Sequence, residues 1–263
     1  MMEPDEAFVG EVVLTVQGEH FELPMSLPAK PVKPPRMLPV FQRLTDSFVA
    51  RSVELSEAAG KAISCSAGCG ACCRQPVLIS EAEAYNLTDL VESMPEPRRS
   101  AIKKRFADAC SHFSNLKWFE RYTNFVSDLR GKENEALGEE FVGLLSQYVG
   151  QRIPCPFLEN ESCSIYEDRP LICREYLVTS PLENCANPTP KNIEKMPIAV
   201  HASRALGVLS KTSNPREPAS LLLIRALEFA DKFPEKFDER PGPEWADDFF
   251  RLITGKQHPN DYT

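Results

Sequence analysis

The sequence predicts a mainly α fold with a small β-hairpin element and irregular cysteine-rich loops between helices. Three observations carry this expectation. Apolar residues recur at three- and four-residue spacing along most of the 263-residue chain. Strict alternation is confined to the first segment. Eight of the nine cysteines fall into two groups, each directly after a predicted helix.

The alternating segment sets Val12, Leu14 and Val16 against Val13, Thr15 and Gln17, turns at Gly18-Glu19, and resumes at Phe21 and Leu23. A hairpin is not stable alone in water, so it should lie against the helical body. Pro24, Pro28, Pro31, Pro34, Pro35 and Pro39 then read as a stiff extended connector. Beyond Pro39, Phe41, Leu44, Phe48, Val49, Val53 and Leu55 give a helical stripe that runs to Gly60. Ser80 and Glu83 have capping-box spacing and start a helix through Val91.

Pro97 opens a longer helix with Ile102, Phe106, Cys110, Phe113 and Phe119 on one side, which places Cys110 as a buried core thiol. A helix from Glu139 to Val149 ends at Gly150 as its cap. Pro181 to Pro197 is irregular, and Pro218–Lys232 and Glu244–Ile253 read as the last helices. The expected division is a hairpin and proline-rich connector at 1–39, a helical cysteine-cluster metal-binding domain at 40–180, and an irregular segment with C-terminal helices on the same body at 181–263.

A formal charge of −8 argues against nonspecific nucleic-acid binding, which needs a basic surface. The one basic run, Arg98, Arg99, Lys103, Lys104 and Arg105, reads as a solvated helix face. Glu3, Asp5 and Glu6 stand where a signal peptide would be basic, and no apolar stretch approaches a membrane span. The expected location is cytoplasmic. In that reducing setting, clustered cysteines point to metal or redox chemistry rather than to disulfides.

The first group is Cys65, Cys69, Cys72 and Cys73, spaced by Ala67, Gly68, Gly70 and Ala71, small residues that allow close approach to one centre. The second is Cys155, Cys163 and Cys173, with Cys185 further on. Thiolates favour zinc, copper(I) and iron–sulfur clusters. A zinc tetrathiolate needs four sulfurs at about 2.3 Å, and Cys69-x-x-Cys72 supplies two of them in one short loop. Cys72 and Cys73 are adjacent, and consecutive side chains tend to diverge. Cys73 is therefore expected to face a second metal atom, to bind a different iron of a cluster, or to be spare.

The spacing Cys65-x3-Cys69-x2-Cys72 also occurs in radical S-adenosylmethionine enzymes, but Ala71 replaces the usual aromatic residue and no run of βα units is present. His20, His112, His201 and His258 are scattered and suggest no ligand pair. Catalytic residues cannot be assigned.

Gly-Cys-Gly-Ala-Cys-Cys-Arg at 68–74, with Cys-Pro-Phe-Leu from Cys155 and Cys-Ser-Ile-Tyr-x-x-Arg-Pro-x-x-Cys-Arg from Cys163, resembles the YkgJ-type cysteine-cluster family. That family is described as a putative zinc- or iron-chelating domain. The resemblance covers roughly 62–178. It implies metal-linked roles for Cys65, Cys69, Cys72, Cys73, Cys155, Cys163, Cys173 and Cys185. Tyr166, Arg169 and Arg174 have two readings: structural groups that hydrogen-bond loop carbonyls, or donors to the cysteine sulfurs that offset their charge.

The leading expectation is therefore a metal-binding protein holding zinc or iron, with the balance toward an iron–sulfur cluster. One alternative is an S-adenosylmethionine-dependent protein methyltransferase, implied by a flagellin lysine N-methylase in the family, although no motif places S-adenosylmethionine. The other is a structural zinc domain serving as an interaction module. Metal ions are the expected partners, nucleic acid and membrane are not, and no protein partner is identified.

Overall fold

The computed structural model describes residues 7–16, 18–128, 135–212 and 220–255. The chain opens with antiparallel strands β1 (Ala7–Val16) and β2 (Glu19–Pro28), registered so that Leu14 faces Phe21 and Val12 faces Leu23. There follow β3 (Pro31–Val32), α1 (Pro34–Ala58), β4 (Leu78–Ile79), α2 (Glu81–Ser93), α3 (Arg98–Asn115), α4 (Trp118–Asp128) and α5 (Glu135–Gly150). Then come β5 (Leu158–Glu159), β6 (Ser162–Cys163), α6 (Leu171–Glu175), α7 (Ala202–Leu209), β7 (Leu221–Leu222), α8 (Ala226–Lys232), β8 (Arg240–Pro241) and α9 (Gly242–Thr254). The short strands pair as β3–β8, β4–β7 and β5–β6, all antiparallel. The fold is mainly helical with small β elements, as the sequence predicts. No helix among the described residues is long and apolar enough to cross a membrane.

The hairpin does lie on the helical body. Leu14, Phe21, Leu23 and Met25 are buried with Phe41, Leu44 and Phe48 of α1 and with Trp245 and Phe249 of α9. The Phe21 ring meets Phe48 edge-on at 5.0 Å, and Phe41 stacks on Phe249 at 4.4 Å. Each such side chain contributes about 2–3 kcal/mol by leaving water. A second core joins Leu87 and Val91 of α2, Ile102 and Phe106 of α3, Phe157 and Ile165, with half-buried Cys155 and Cys163 against it. A third gathers Phe113, Trp118 and Tyr148 at the α3–α4–α5 junction.

Several expectations need correction. Helix α1 begins at Pro34, not after Pro39, because Pro34 and Pro35 occupy its first turn, where the missing N–H groups have no helical partner to lose. Pro24, Pro28 and Pro31 belong to β2 and β3, so the proline-rich stretch is no free spacer. Helix α3 stops at Asn115 and Lys117 takes a left-handed φ of 53°, so Phe119 belongs to α4. Cys110 is half-buried rather than buried; its thiol donates to the Ile224 carbonyl at 2.9 Å. Gly150 is the last helical residue of α5, and the left-handed position falls on Arg152, φ 54°.

Leu221 and Leu222 form a strand against β4, and the helix expected from Pro218 starts only at Ala226; Pro218 itself lies outside the described residues. Helix α7 has no counterpart in the sequence reading. The capping box at Ser80 stands where it was expected, and α1 ends close to Gly60 as its apolar stripe predicts; Gly60 itself is left-handed, φ 80°.

Candidate metal centre

Each cysteine loop is anchored by a neighbouring element. The first begins where α1 ends and runs into β4 and α2, whose capping box fixes its exit. Glu83, buried at the start of α2, accepts from the Ser80 amide and hydroxyl, each at 2.8 Å, and from the Leu171 amide at 2.8 Å. One carboxylate therefore ties the start of α2 to the start of α6, which carries Cys173. The second loop is held to α3 by Arg105, which donates to the Pro156 carbonyl at 3.1 Å, and by Arg98, which donates to the Ser164 carbonyl at 3.2 Å. Both also pair with Glu159. The basic run is thus not simply a solvated face.

The two loops touch directly. The Cys155 amide donates to the Cys73 carbonyl at 2.7 Å, and Arg74 grips Glu161 with bonds of 2.6 and 2.9 Å. A Cβ on Gly70 would lie 2.5 Å from Leu158 Cδ1 and 2.8 Å from the Glu161 carbonyl carbon. Only glycine fits there. Downstream, the Ser64 amide donates to the Val178 carbonyl at 2.9 Å, and Gln75 donates to the Cys185 carbonyl at 3.5 Å.

Cys72 is the thiol that most of the other cysteines feel. Its thiol is hydrogen-bonded to that of Cys73. It also lies within electrostatic reach of Cys65, Cys155, Cys163, Cys173 and Cys185. Cys69 joins through Cys65 and Cys185. Cys69 and Cys163 thus border one cluster, and Cys110 stands apart beside Arg225 and Glu228. The adjacent thiols do not diverge as expected, because Cys73 donates its amide to Gly70 and Gln75 to Cys72, two overlapping turns in place of an extended strand.

Three sulfurs accept the backbone N–H of another residue, Cys65 from Val178 at 3.4 Å, Cys155 from Phe157 and Cys163 from Ile165, and Cys72 accepts from its own amide. Such bonds favour the thiolate, but burial outweighs them. The Cys155 thiol is pushed up to about 12 by burial and by Cys163 and Cys72, and Cys185 to about 11 by burial and three neighbouring thiols. Burial also raises Cys65, Cys163 and Cys173, whereas Cys72 is raised first by its bond with Cys73 and then by burial. A cation in their midst would reverse this balance. Among the described residues, no three Cys, His, Asp or Glu side chains are already set as a finished metal site.

Arg169 and Arg174 behave differently. Arg174 is buried and turns its guanidinium to Asp46, at 2.7 and 3.0 Å, and to the carbonyls of Arg169 and Glu167. Its donors therefore face these oxygens and not a sulfur. Arg169 lies over the Tyr166 ring at 3.9 Å and within electrostatic reach of Cys65, Cys72 and Cys163. Its buried Nε has no hydrogen-bond partner. A soft, seven- to eight-thiol donor set with amides aimed at sulfur and an uncommitted guanidinium N–H beside it fits zinc or iron.

Sequence reasoning saw Glu83 only as a cap and missed Gln75 and the amides of Phe157, Ile165 and Val178. Backbone donors carry no side-chain signal, so no pattern could have revealed them.

No curated protein and no solved structure matches the chain. Residues 64–197, just over half of the chain, match CxxCxxCC, described as a "putative zinc- or iron-chelating domain". The match takes in both cysteine loops and the helices between them, and the chain belongs to this cysteine-cluster family.

Proposed function

We propose that this chain binds zinc or iron through thiolates drawn from both loops, with Cys72 at the middle of the set. The candidate ligands are Cys65, Cys69, Cys72, Cys73, Cys155, Cys163, Cys173 and Cys185. The observation that carries this reading is the position of Cys72, whose sulfur feels thiols from 65 to 73 and from 155 to 185 alike. Eight thiols exceed the four that one zinc takes, so the set suits two zinc ions or an iron–sulfur cluster with further ligands. Zinc would supply a fixed cross-link between the loops, and an iron–sulfur cluster would add electron transfer.

The chain's own residues prepare the site. The amides of Val178, Phe157 and Ile165 hold three sulfurs in place. Arg169 supplies positive charge against the accumulated negative charge of several thiolates, with Tyr166 fixing its plane. Arg174 acts one layer further out, holding the 167–169 turn through which Arg169 is presented. A reducing compartment such as the cytoplasm suits a set of thiols that must remain unoxidised.

Anaerobic purification of the full chain, followed by metal analysis and a visible spectrum, tests the proposal. Stoichiometric zinc in a colourless protein selects zinc. Iron with acid-labile sulfide and broad visible absorption selects the cluster. Neither metal above trace level overturns the reading.

A further inference from the structure

A cavity of about 440 Å³ opens beside the thiol cluster, between α5 and the loop that carries Pro188 to Lys195. That volume lies within the range of small-molecule sites. Its walls include Phe141, Leu145 and Val149 from α5 and Ile193 from the loop. Phe141 is 39% exposed although the cavity beside it is mostly apolar, so the space leaves aromatic surface uncovered. Of its polar lining groups, Ser146 and Thr189 are small hydroxyls, whereas Gln75 and Lys195 both stand beside Tyr176 and form one polar end.

That end is built by the backbone. Val178 and Lys195 form an antiparallel bridge, and the Met196 amide donates to the Leu177 carbonyl at 2.9 Å, which sets Lys195 beside Tyr176. The Lys195 ammonium stands 5.3 Å from the centroid of the Tyr176 ring. The neighbouring Glu194 is turned away to Lys61, at 2.5 Å. Among the described residues, Lys195 is thus the one charged group lining the cavity, and it is a cation. Gln75 bonds the Tyr176 hydroxyl and the Cys185 carbonyl, so the polar end is continuous with the cysteine cluster.

An apolar wall with a single cation at its end calls for a ligand with an apolar body and an anionic head. We propose that this cavity binds a small amphiphilic carboxylate, its chain between α5 and the 188–193 loop and its head at Lys195 and Tyr176. The site borders the proposed metal centre but does not require it.

Calorimetric titration of the full-length protein with decanoate, and with decan-1-ol as the uncharged comparator, tests this. Decanoate should bind the more tightly. Lys195→Met should weaken decanoate about tenfold and leave the alcohol unchanged. Leu145→Trp should fill the cavity and abolish both. Lys195 is exposed, so the charge comparison stands even if Leu145→Trp fails to fold. No decanoate binding at millimolar concentration, equal affinity for acid and alcohol, or an unaltered Lys195→Met variant would each overturn the proposal. If anaerobically purified protein carries neither zinc nor iron yet still binds decanoate, the metal reading falls and this one stands.

Discussion

The Cys155 amide donates to the Cys73 carbonyl at 2.7 Å, joining the start of the second cysteine loop to the last cysteine of the first. Two loops far apart in sequence thereby share an edge before any metal is considered. Arg74–Glu161 closes the same edge from the outside, and Glu83 closes it from the core through Leu171. The thiols are brought together by ordinary backbone and carboxylate bonds, so the scaffold precedes the centre it would hold.

Gly70→Ala should damage this edge more than any other single methyl in the first loop. The added Cβ meets Leu158 and the backbone of Glu161, and backbone cannot rotate away. Overpacking of this kind costs about 1–3 kcal/mol. Thermal unfolding should show the loss, and metal content of the purified variant should fall with it. Unchanged melting and metal content would show that the loops part freely.

Glu83→Gln tests the carboxylate that ties α2 to α6. Burial raises the Glu83 carboxyl above its ordinary range. The folded chain therefore binds that proton more readily than the unfolded chain does. The stability of wild type relative to the glutamine variant should fall as pH rises from about 4.3 through the raised folded value. Urea unfolding of both proteins across that window measures the difference. Glu83→Ala should be worse at every pH, because the Ser80 and Leu171 amides lose their acceptor at about 1–3 kcal/mol each.

Helix type and the cysteine grouping were legible because both are written in side-chain pattern. The stripe through Phe41, Leu44 and Phe48 and the Ser80–Glu83 box needed nothing distant to be read. Leu221 and Leu222 were misread because four consecutive apolar residues fit a strand as well as a helix, and only pairing with Leu78 and Ile79 decides between them. Helix α7 is short, and its burial against α9 settles it rather than its periodicity. At the site, the candidate thiols were visible but their supports were not. Gly70 was read as permitting close approach, yet the neighbour it admits, Glu161, could be named only from the fold.

Arg169→Met should weaken metal retention while leaving the fold intact. Arg169 is the guanidinium within reach of Cys65, Cys72 and Cys163, and methionine keeps its length without its charge. Loss of a supporting donor beside a metal site commonly costs 10–100-fold in affinity, about the range expected here. Arg169→Lys should recover part of it. Arg174→Met should instead lower the melting temperature, since its partners are Asp46 and two carbonyls. Chelator competition and thermal unfolding of the three variants separate the two roles.

Metal removal should act locally. The core that joins the hairpin, α1, α7 and α9 contains no cysteine and reaches the helix that carries Cys173 through Leu171, so most of it should persist without the centre. The second core is different, because Cys155 and Cys163 pack against Phe157, Ile165 and α2. Withdrawal of a cation from the cluster would leave buried thiols that hold their protons, with fewer bonds across the edge between the loops. Limited proteolysis after chelation should therefore cut first within 61–76 and 151–170, while far-UV circular dichroism keeps most of its helical signal. Global loss of helix on chelation would mean that the metal holds the entire fold. Unchanged proteolysis in both loops would mean that the clasp of Cys155, Arg74 and Glu83 suffices without it.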